Sequence, residues 1–185
     1  MMKRIFIAIF IGFVFQIIVA QTYAKVNVVT LPAGMLNAGL ETKLGKKTTI
    51  QAEVFVSPWK SFLGKRLQVY YTGVEGRYYF KESFKGFYAG ANFGLAIFDL
   101  QKWNYLQSQN HQRGFTIMTG ATIGYQYKIN DRWNADIFIG GGNSQGFYHG
   151  YDLQTGERYE TSESWNRSGE WLPYKGGLML SYKLK

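Results

Sequence analysis

The chain has 185 residues, no cysteine, three prolines, 22 glycines and an aromatic content of 18%. That balance fits one β-rich domain and excludes disulfide frameworks, thiolate-metal sites and lipid attachment through cysteine. The formal charge of +9 favours anionic lipid, glycan or protein surfaces. Nucleic acid is a poor partner, because the basic residues are scattered rather than gathered on one helix or groove.

Lys3 and Arg4 open the chain, an apolar run "IFIAIFIGFVFQIIVA" follows, and small residues appear in "VAQTYAK". These are the three parts of a cleaved export signal. The run is interrupted by Gln16 and falls short of the roughly 20 residues that a membrane-spanning helix needs. Cleavage after Ala24 leaves 185 − 24 = 161 residues, and cleavage after Ala20, the alternative, leaves 185 − 20 = 165. The expected organisation is therefore a leader over 1–24 and one domain over 25–185. Loss of Lys3 and Arg4 takes the charge from +9 to 9 − 2 = +7.

Beyond the leader there is no repeat, no low-complexity tract and no amphipathic helical pattern, only runs that alternate with period two between turn residues. The first two cover about Val26–Leu31 and Leu36–Leu44, with Val26, Val28, Leu36, Ala38, Leu40 and Leu44 on one face. A third, Lys47–Ser57, sets Ile50, Ala52, Val54 and Val56 against Gln51, Glu53 and Phe55, and "PWKSFLGKR" reads as a longer loop. The fourth, Val69–Phe80, puts Glu75 and Arg77 on one face and only uncharged residues on the other. The fifth is Phe87–Phe98, the sixth runs from Phe115 to Lys128 after a long loop, and the seventh carries Trp133, Ala135, Ile137 and Ile139. A loop from Ser144 to about Pro173 precedes the eighth, in which Tyr174, Leu178, Leu180, Tyr182 and Leu184 oppose Lys175, Met179, Ser181 and Lys183.

Eight strands with short turns at one end and longer loops at the other suit an all-β, eight-stranded antiparallel up-and-down transmembrane β-barrel with periplasmic turns and extracellular loops. Alternation by itself also fits a soluble lipocalin-like barrel with its apolar faces turned inward around a ligand. Height separates the two. Tyr78, Phe80, Phe87, Tyr125, Tyr127, Trp133 and Tyr182 stand at matching distance from the short turns, as a lipid-facing aromatic girdle requires, and Tyr70, Phe115 and Tyr174 begin a second ring near the loops.

The opposite faces alternate glycine with tyrosine, phenylalanine and methionine and carry Glu41, Glu53, Glu75, Arg77 and Asp136 at similar height. With Lys43, Lys128 and Arg132 nearby they are expected to form a neutral interior charge network that fills the barrel and leaves no diffusion pore. Lys46, Lys47, Lys81, Lys85 and Lys128 at the turns are suited to anionic headgroups or to plain solvation.

The order "NAGLE" (Asn37–Glu41), "LGKK" (Leu44–Lys47), "SPWK" (Ser57–Lys60), "EGRYYF" (Glu75–Phe80) and "GFYAG" resembles the domain-of-unknown-function 3575 family of small outer-membrane β-barrel proteins. The resemblance implies that fold and an outer-membrane location in a Gram-negative bacterium. It carries no activity, although some relatives are thought to accompany surface-fibre genes.

The function expected is non-enzymatic: surface binding, anchoring or surface-structure assembly, without cofactor or metal. Its partners are outer-membrane lipid, a surface glycan or protein, and the barrel-assembly machinery during biogenesis. Tyr148, His149, Tyr151, Tyr159, Trp165 and Trp171 in the long loop offer a binding surface. Several of them also suit an ordered ribbon that continues the flanking strands. The alternative is a lipid-modifying hydrolase or acyltransferase using His149 with Ser144 and Asp152, for which no hydrolase motif is present.

Overall fold

The computed structural model describes residues 21–159 and 161–184, so the first 20 residues of the leader expected over 1–24 lie outside the described part. The strands are β1 (Thr22–Asn27), β2 (Leu36–Lys43), β3 (Thr48–Phe62), β4 (Lys65–Tyr79), β5 (Gly86–Leu100), β6 (Asn110–Lys128), β7 (Trp133–Asp152), β8 (Arg158–Tyr159) and β9 (Asn166–Lys183). Each pairs antiparallel with its neighbour, and β1 pairs with β9 from Tyr23↔Lys183 to Asn27↔Met179. The sheet is thus a ring of eight strands, with β8 a two-residue flap on β7. No α-helix occurs among the described residues, only two single 3-10 turns at Leu31–Ala33 and Trp103–Tyr105.

A closed ring leaves no strand edge unpaired, so every ladder position can be satisfied inside the sheet. Facing then follows from the two-residue period. Tyr23, Lys25 and Asn27 of β1, Gly73, Glu75, Arg77 and Tyr79 of β4, and Asn134, Asp136 and Phe138 of β7 are buried inside the ring. Their sequence neighbours point outward.

Strand extents differ from the sequence reading, and the loop before β6 is shorter than expected because β5 reaches Leu100 and β6 begins at Asn110. The segment read as a loop, "PWKSFLGKR", is instead a continuation of β3 and β4 joined by the two-residue turn Leu63-Gly64, with φ of 50° and 79°. Both turn residues have positive φ, the geometry whose twist matches a hairpin. Pro58 is accommodated within β3 opposite Gln68, and a register shift between Trp59 and Phe62 absorbs one extra residue. The segment read as a loop over Ser144–Pro173 is largely strand: β7 reaches Asp152 and β9 begins at Asn166, so Tyr148, His149 and Tyr151 lie in β7 and Tyr159 in β8. β1 starts at Thr22, earlier than expected, so Thr22, Tyr23 and Ala24 pair with Thr42, Glu41 and Leu40.

A bulge in β9 changes one facing assignment. Gly140 pairs with Lys175 and Gly142 with Leu172, which sets Pro173 and Tyr174 against the single residue Gly141. The alternation of β9 inverts across such a bulge. Tyr174 therefore turns inward and donates to Asn92 Oδ1 at 2.5 Å rather than joining an outer ring, while Trp171, 81% exposed, takes the outer face.

The interior is filled by aromatic rings laid on glycines. A Cβ on Gly94 would stand 2.3 Å from the Tyr71 ring, and one on Gly124 would stand 2.5 Å from the Tyr88 hydroxyl. Tyr79, Tyr88, Phe138 and Met179 form the buried apolar cluster, and Phe84, from the turn after β4, closes the short-turn end against Tyr23 at 4.7 Å between ring centres. Gly94→Val and Gly124→Val should each lower stability by about 1–3 kcal/mol through overpacking, whereas Gly76→Val should stay within about 0.5 kcal/mol. Its Cβ would meet nothing within 4 Å. Equilibrium unfolding midpoints of the three variants test the difference.

Candidate functional site

The densest constellation is a buried ion network at mid-height. Lys25 Nζ on β1 lies 2.7 Å from Glu41 Oε2 on β2 and 2.5 Å from Asp136 Oδ2 on β7. Arg77 of β4 donates from Nε to Glu75 Oε1 at 2.6 Å, and from Nη1 to Asp136 Oδ2 at 2.9 Å and Glu41 Oε2 at 3.2 Å. Lys175 of β9 joins Glu75 Oε2 at 2.6 Å and also pairs with Glu53 of β3. The side chains of Lys25, Glu41, Glu75, Arg77 and Asp136 are wholly shielded from solvent.

Neutral groups occupy the remaining lone pairs. Thr49 Oγ1 donates to Glu41 Oε1 at 2.6 Å, Tyr88 to Asp136 Oδ1 at 2.9 Å, Thr122 to Glu75 Oε2 at 2.8 Å and Gln51 to Glu53 Oε2 at 3.0 Å. The Tyr79 hydroxyl sits between Glu41 Oε1 and Gln126 Oε1, at 2.6 and 2.5 Å. The Arg77 guanidinium lies 4.5 Å from the centre of the Tyr88 ring. Such dense pairing offsets the several kcal/mol that each unpaired ion costs, although the buried Arg77 Nη2, Gln51 Oε1 and Gln126 Nε2 have no hydrogen-bond partner.

Membership differs from expectation in its bases. Glu41, Glu53, Glu75, Arg77 and Asp136 come together, but Lys43, Lys128 and Arg132 are exposed at the short-turn end and touch none of them. Lys43 and Lys128 have the inward parity but lie too close to their turns, and Arg132 is in a turn. Lys128 pairs instead with Asp131 at 2.7 Å, which holds the Asp131 carboxyl below the usual carboxylate range. The bases inside are Arg77 with Lys25 and Lys175, three against the acids Glu41, Glu53, Glu75 and Asp136, so the network carries one net negative charge rather than the neutrality expected. Both lysines were visible in the alternation, Lys25 on the face opposite Val26 and Val28, and Lys175 opposite Leu178 and Leu180. What placed them at network height was pairing between β1 and β9, which spacing along the chain does not reveal.

The residues of the hydrolase alternative are not assembled. Ser144 faces inward and its Oγ is 2.8 Å from Thr116 Oγ1, whereas His149 is on the other face of β7, with Nε2 2.8 Å from the Ser164 carbonyl and its ring stacked on Trp165 at 4.1 Å. Asp152 Oδ1 accepts from the Thr155 and Gln154 amides at 2.9 and 2.8 Å, which keeps its carboxyl below the usual range. The other histidine, His111, places Nδ1 2.7 Å from Asp99 Oδ1 and stacks on Tyr151. Among the described residues no group of three or more His, Asp or Glu side chains is arranged to hold a metal ion.

The expected girdle residues all point outward. Tyr78, Phe80, Phe87, Tyr125, Tyr127 and Trp133 are exposed, Tyr182 is half-buried, and the pairs Tyr78–Phe80, Phe87–Tyr125 and Trp133–Tyr182 have ring centres 5.8, 4.8 and 4.9 Å apart. The inward-turned apolar faces of a lipocalin-like barrel are not found. Of the six loop residues, Tyr148, His149, Tyr151 and Tyr159 extend the ladder, Trp165 precedes β9, and Trp171 belongs to the outer face beside Ile123 and Ile139. Lys43, Lys46, Lys47, Lys81, Lys85, Lys128 and Lys183 border the cleft at the short-turn end, with only Glu82 and Asp131 opposing them.

Removing one base should expose the character of the network. Lys25→Met is expected to destabilise by about 3–5 kcal/mol, because Glu41 and Asp136 are left buried without their shared ammonium. Lys43→Met should stay within about 0.5 kcal/mol. Denaturant midpoints of the two variants check this, and equal midpoints would mean that the network is dispensable.

No curated protein and no solved structure matches the chain. The family model described as "Protein of unknown function (DUF3575)" matches residues 5–184. With nearly the whole chain covered, the protein belongs to the DUF3575 family.

Proposed function

We propose that the protein is an outer-membrane β-barrel of a Gram-negative cell, without catalytic activity, exported by a cleaved leader and working through its loop end in surface binding, anchoring or assembly of surface structures. The observation that carries this reading is an inversion of polarity. Ions are sealed inside the ring while Leu40, Val54, Val74, Phe93, Ile123, Ile137 and Ile139 are between 44% and 63% exposed around it. So continuous an apolar exterior needs a cover. A lipid bilayer suits it best, because the same surface is bounded by aromatic rings at one height.

The dimensions agree. From Phe115 to Tyr125, β6 spans about 34 Å along itself and, at the usual tilt of ~40°, about 26 Å along the axis, close to the apolar band of known barrels. No helix among the described residues is long and apolar enough to cross a membrane, so the strands are the spanning elements of this reading. Eight strands leave an interior just wide enough for side chains. The network and the Tyr79–Tyr88–Phe138–Met179 cluster occupy its middle, with a cavity of about 160 Å³ toward the loop end, which argues against a diffusion pore.

The same geometry favours cleavage of the leader after Ala20 over Ala24, since the later cut would remove Thr22, Tyr23 and Ala24 from the strand that closes the ring. The lysine-rich cleft would then face the periplasm, where it is suited to anionic headgroups of the inner leaflet.

Cell fractionation and gel electrophoresis of heated and unheated detergent extracts test the reading. The expected result is an outer-membrane protein whose mobility changes on heating. Ile123→Arg, which sets a charge at mid-band, should cost about 2–4 kcal/mol of membrane-folded stability, while the outward Trp133→Arg near the girdle should cost about 1 kcal/mol or less from charge placement. A periplasmic protein of unchanged mobility would refute the proposal.

A further inference from the structure

Just above the outer apolar band, on the loop side, β3 to β7 form an outward groove with two chemistries. Its lower edge is Tyr70, Ile97 and Phe115, between 40% and 59% exposed. Its upper part holds Lys60, Arg66 and Arg113 with Asp99 as the single acid. Asp99 is already engaged, accepting from Arg66 Nη1 at 2.8 Å and lying 2.7 Å from His111 Nδ1. The side chains of Lys60 and Arg113 make no ion pair or hydrogen bond among the described residues, although Arg113 stands on the strand position opposite Asp99. Three bases against one acid leave two positive charges unbalanced, directly above exposed aliphatic and aromatic side chains.

We propose that this groove holds a net-anionic, phosphate-bearing lipid of the surrounding leaflet, with the phosphate between Lys60 and Arg113 and the first acyl carbons along Ile97 and Phe115. The inference rests on the membrane reading above and adds a ligand class to it. A guanidinium and an ammonium bordering the same groove can each give charge-assisted hydrogen bonds to a phosphate set between them. Both lie where a headgroup layer meets the hydrocarbon, and a basic residue there adds measurably to the binding of anionic lipid. The amphipathic floor selects a lipid over a free anion, since inorganic phosphate has nothing to set against Ile97 and Phe115. Trp165, which stacks on His149 at the groove's upper side, gives the headgroup a rigid wall.

Native mass spectrometry of the folded chain released from detergent micelles tests the assignment, with phosphatidic acid, phosphatidylcholine of the same acyl chains, and inorganic phosphate as probes. Retention of phosphatidic acid should fall about fivefold for Lys60→Gln or Arg113→Gln and about 25-fold for the double variant. Arg132→Gln, exposed at the other end of the ring and outside the lysine-rich cleft, should retain it as the wild type does. Phosphatidylcholine should be held weakly by every variant, and inorganic phosphate should not displace the lipid. Equal retention by the wild type and the groove double variant overturns the proposal, as does a loss in Arg132→Gln equal to that in Arg113→Gln. Displacement by inorganic phosphate assigns the groove to a soluble anion and overturns it too. These failures in a chain that inserts and changes mobility on heating leave the membrane reading intact, whereas a chain that does neither removes both.

Discussion

The desolvated ion network is the constraint on which the rest of the structure depends. Seven charges, Lys25, Glu41, Glu53, Glu75, Arg77, Asp136 and Lys175, come from six of the ring's eight strands and converge where solvent does not reach. A buried ion tolerates little error in the position of its partner, because the attraction offsets desolvation only at contact and only with the remaining donors and acceptors satisfied. The network therefore specifies register. A slip of one residue in β4 would turn Glu75 and Arg77 to the outer face and bring Val74 and Tyr78 inside.

Around that layer the interior is an interlocking of unlike volumes. Tyr71 lies across Gly73 and Gly94, and Tyr88 lies across Gly124 on the next strand. Each ring covers the backbone where a neighbouring side chain is missing, so rings fill the lumen without pushing the strands apart. Tyr79 and Tyr88 also direct their hydroxyls to Glu41 and Asp136, so the same residues supply packing and complete the ionic layer. With the lumen so filled, the surfaces left open are the outer face and the two rims. There the chemistry is divided, with lysines around the short-turn cleft and an amphipathic groove beside the loops.

Much of this was legible in the order of residues, for a local reason. A strand's side chains alternate whatever its partners are, so the facing of Glu75, Arg77, Tyr78 and Trp133 follows from position alone. The failures are equally specific. Pro58 looked like the start of a loop, yet β3 carries it and the chain reverses at Leu63-Gly64, because a two-residue turn needs only positive φ at both positions. Tyr174 kept its expected parity in sequence and lost it in space, because the bulge at Pro173-Tyr174 adds a residue to β9 that β7 does not match.

The sequence by itself determined the all-β class, the two faces of each strand and the identity of the buried acids, since these depend on a period of two and on the chemistry of single residues. Only the tertiary structure decided which bases pair with those acids. Lys25 and Lys175, rather than Lys43, Lys128 and Arg132, reach the network because height in a closed ring is set by the stagger of strands across the β1–β9 seam. That stagger is a property of the whole ring, satisfied when every ladder closes at once, and no single strand carries it.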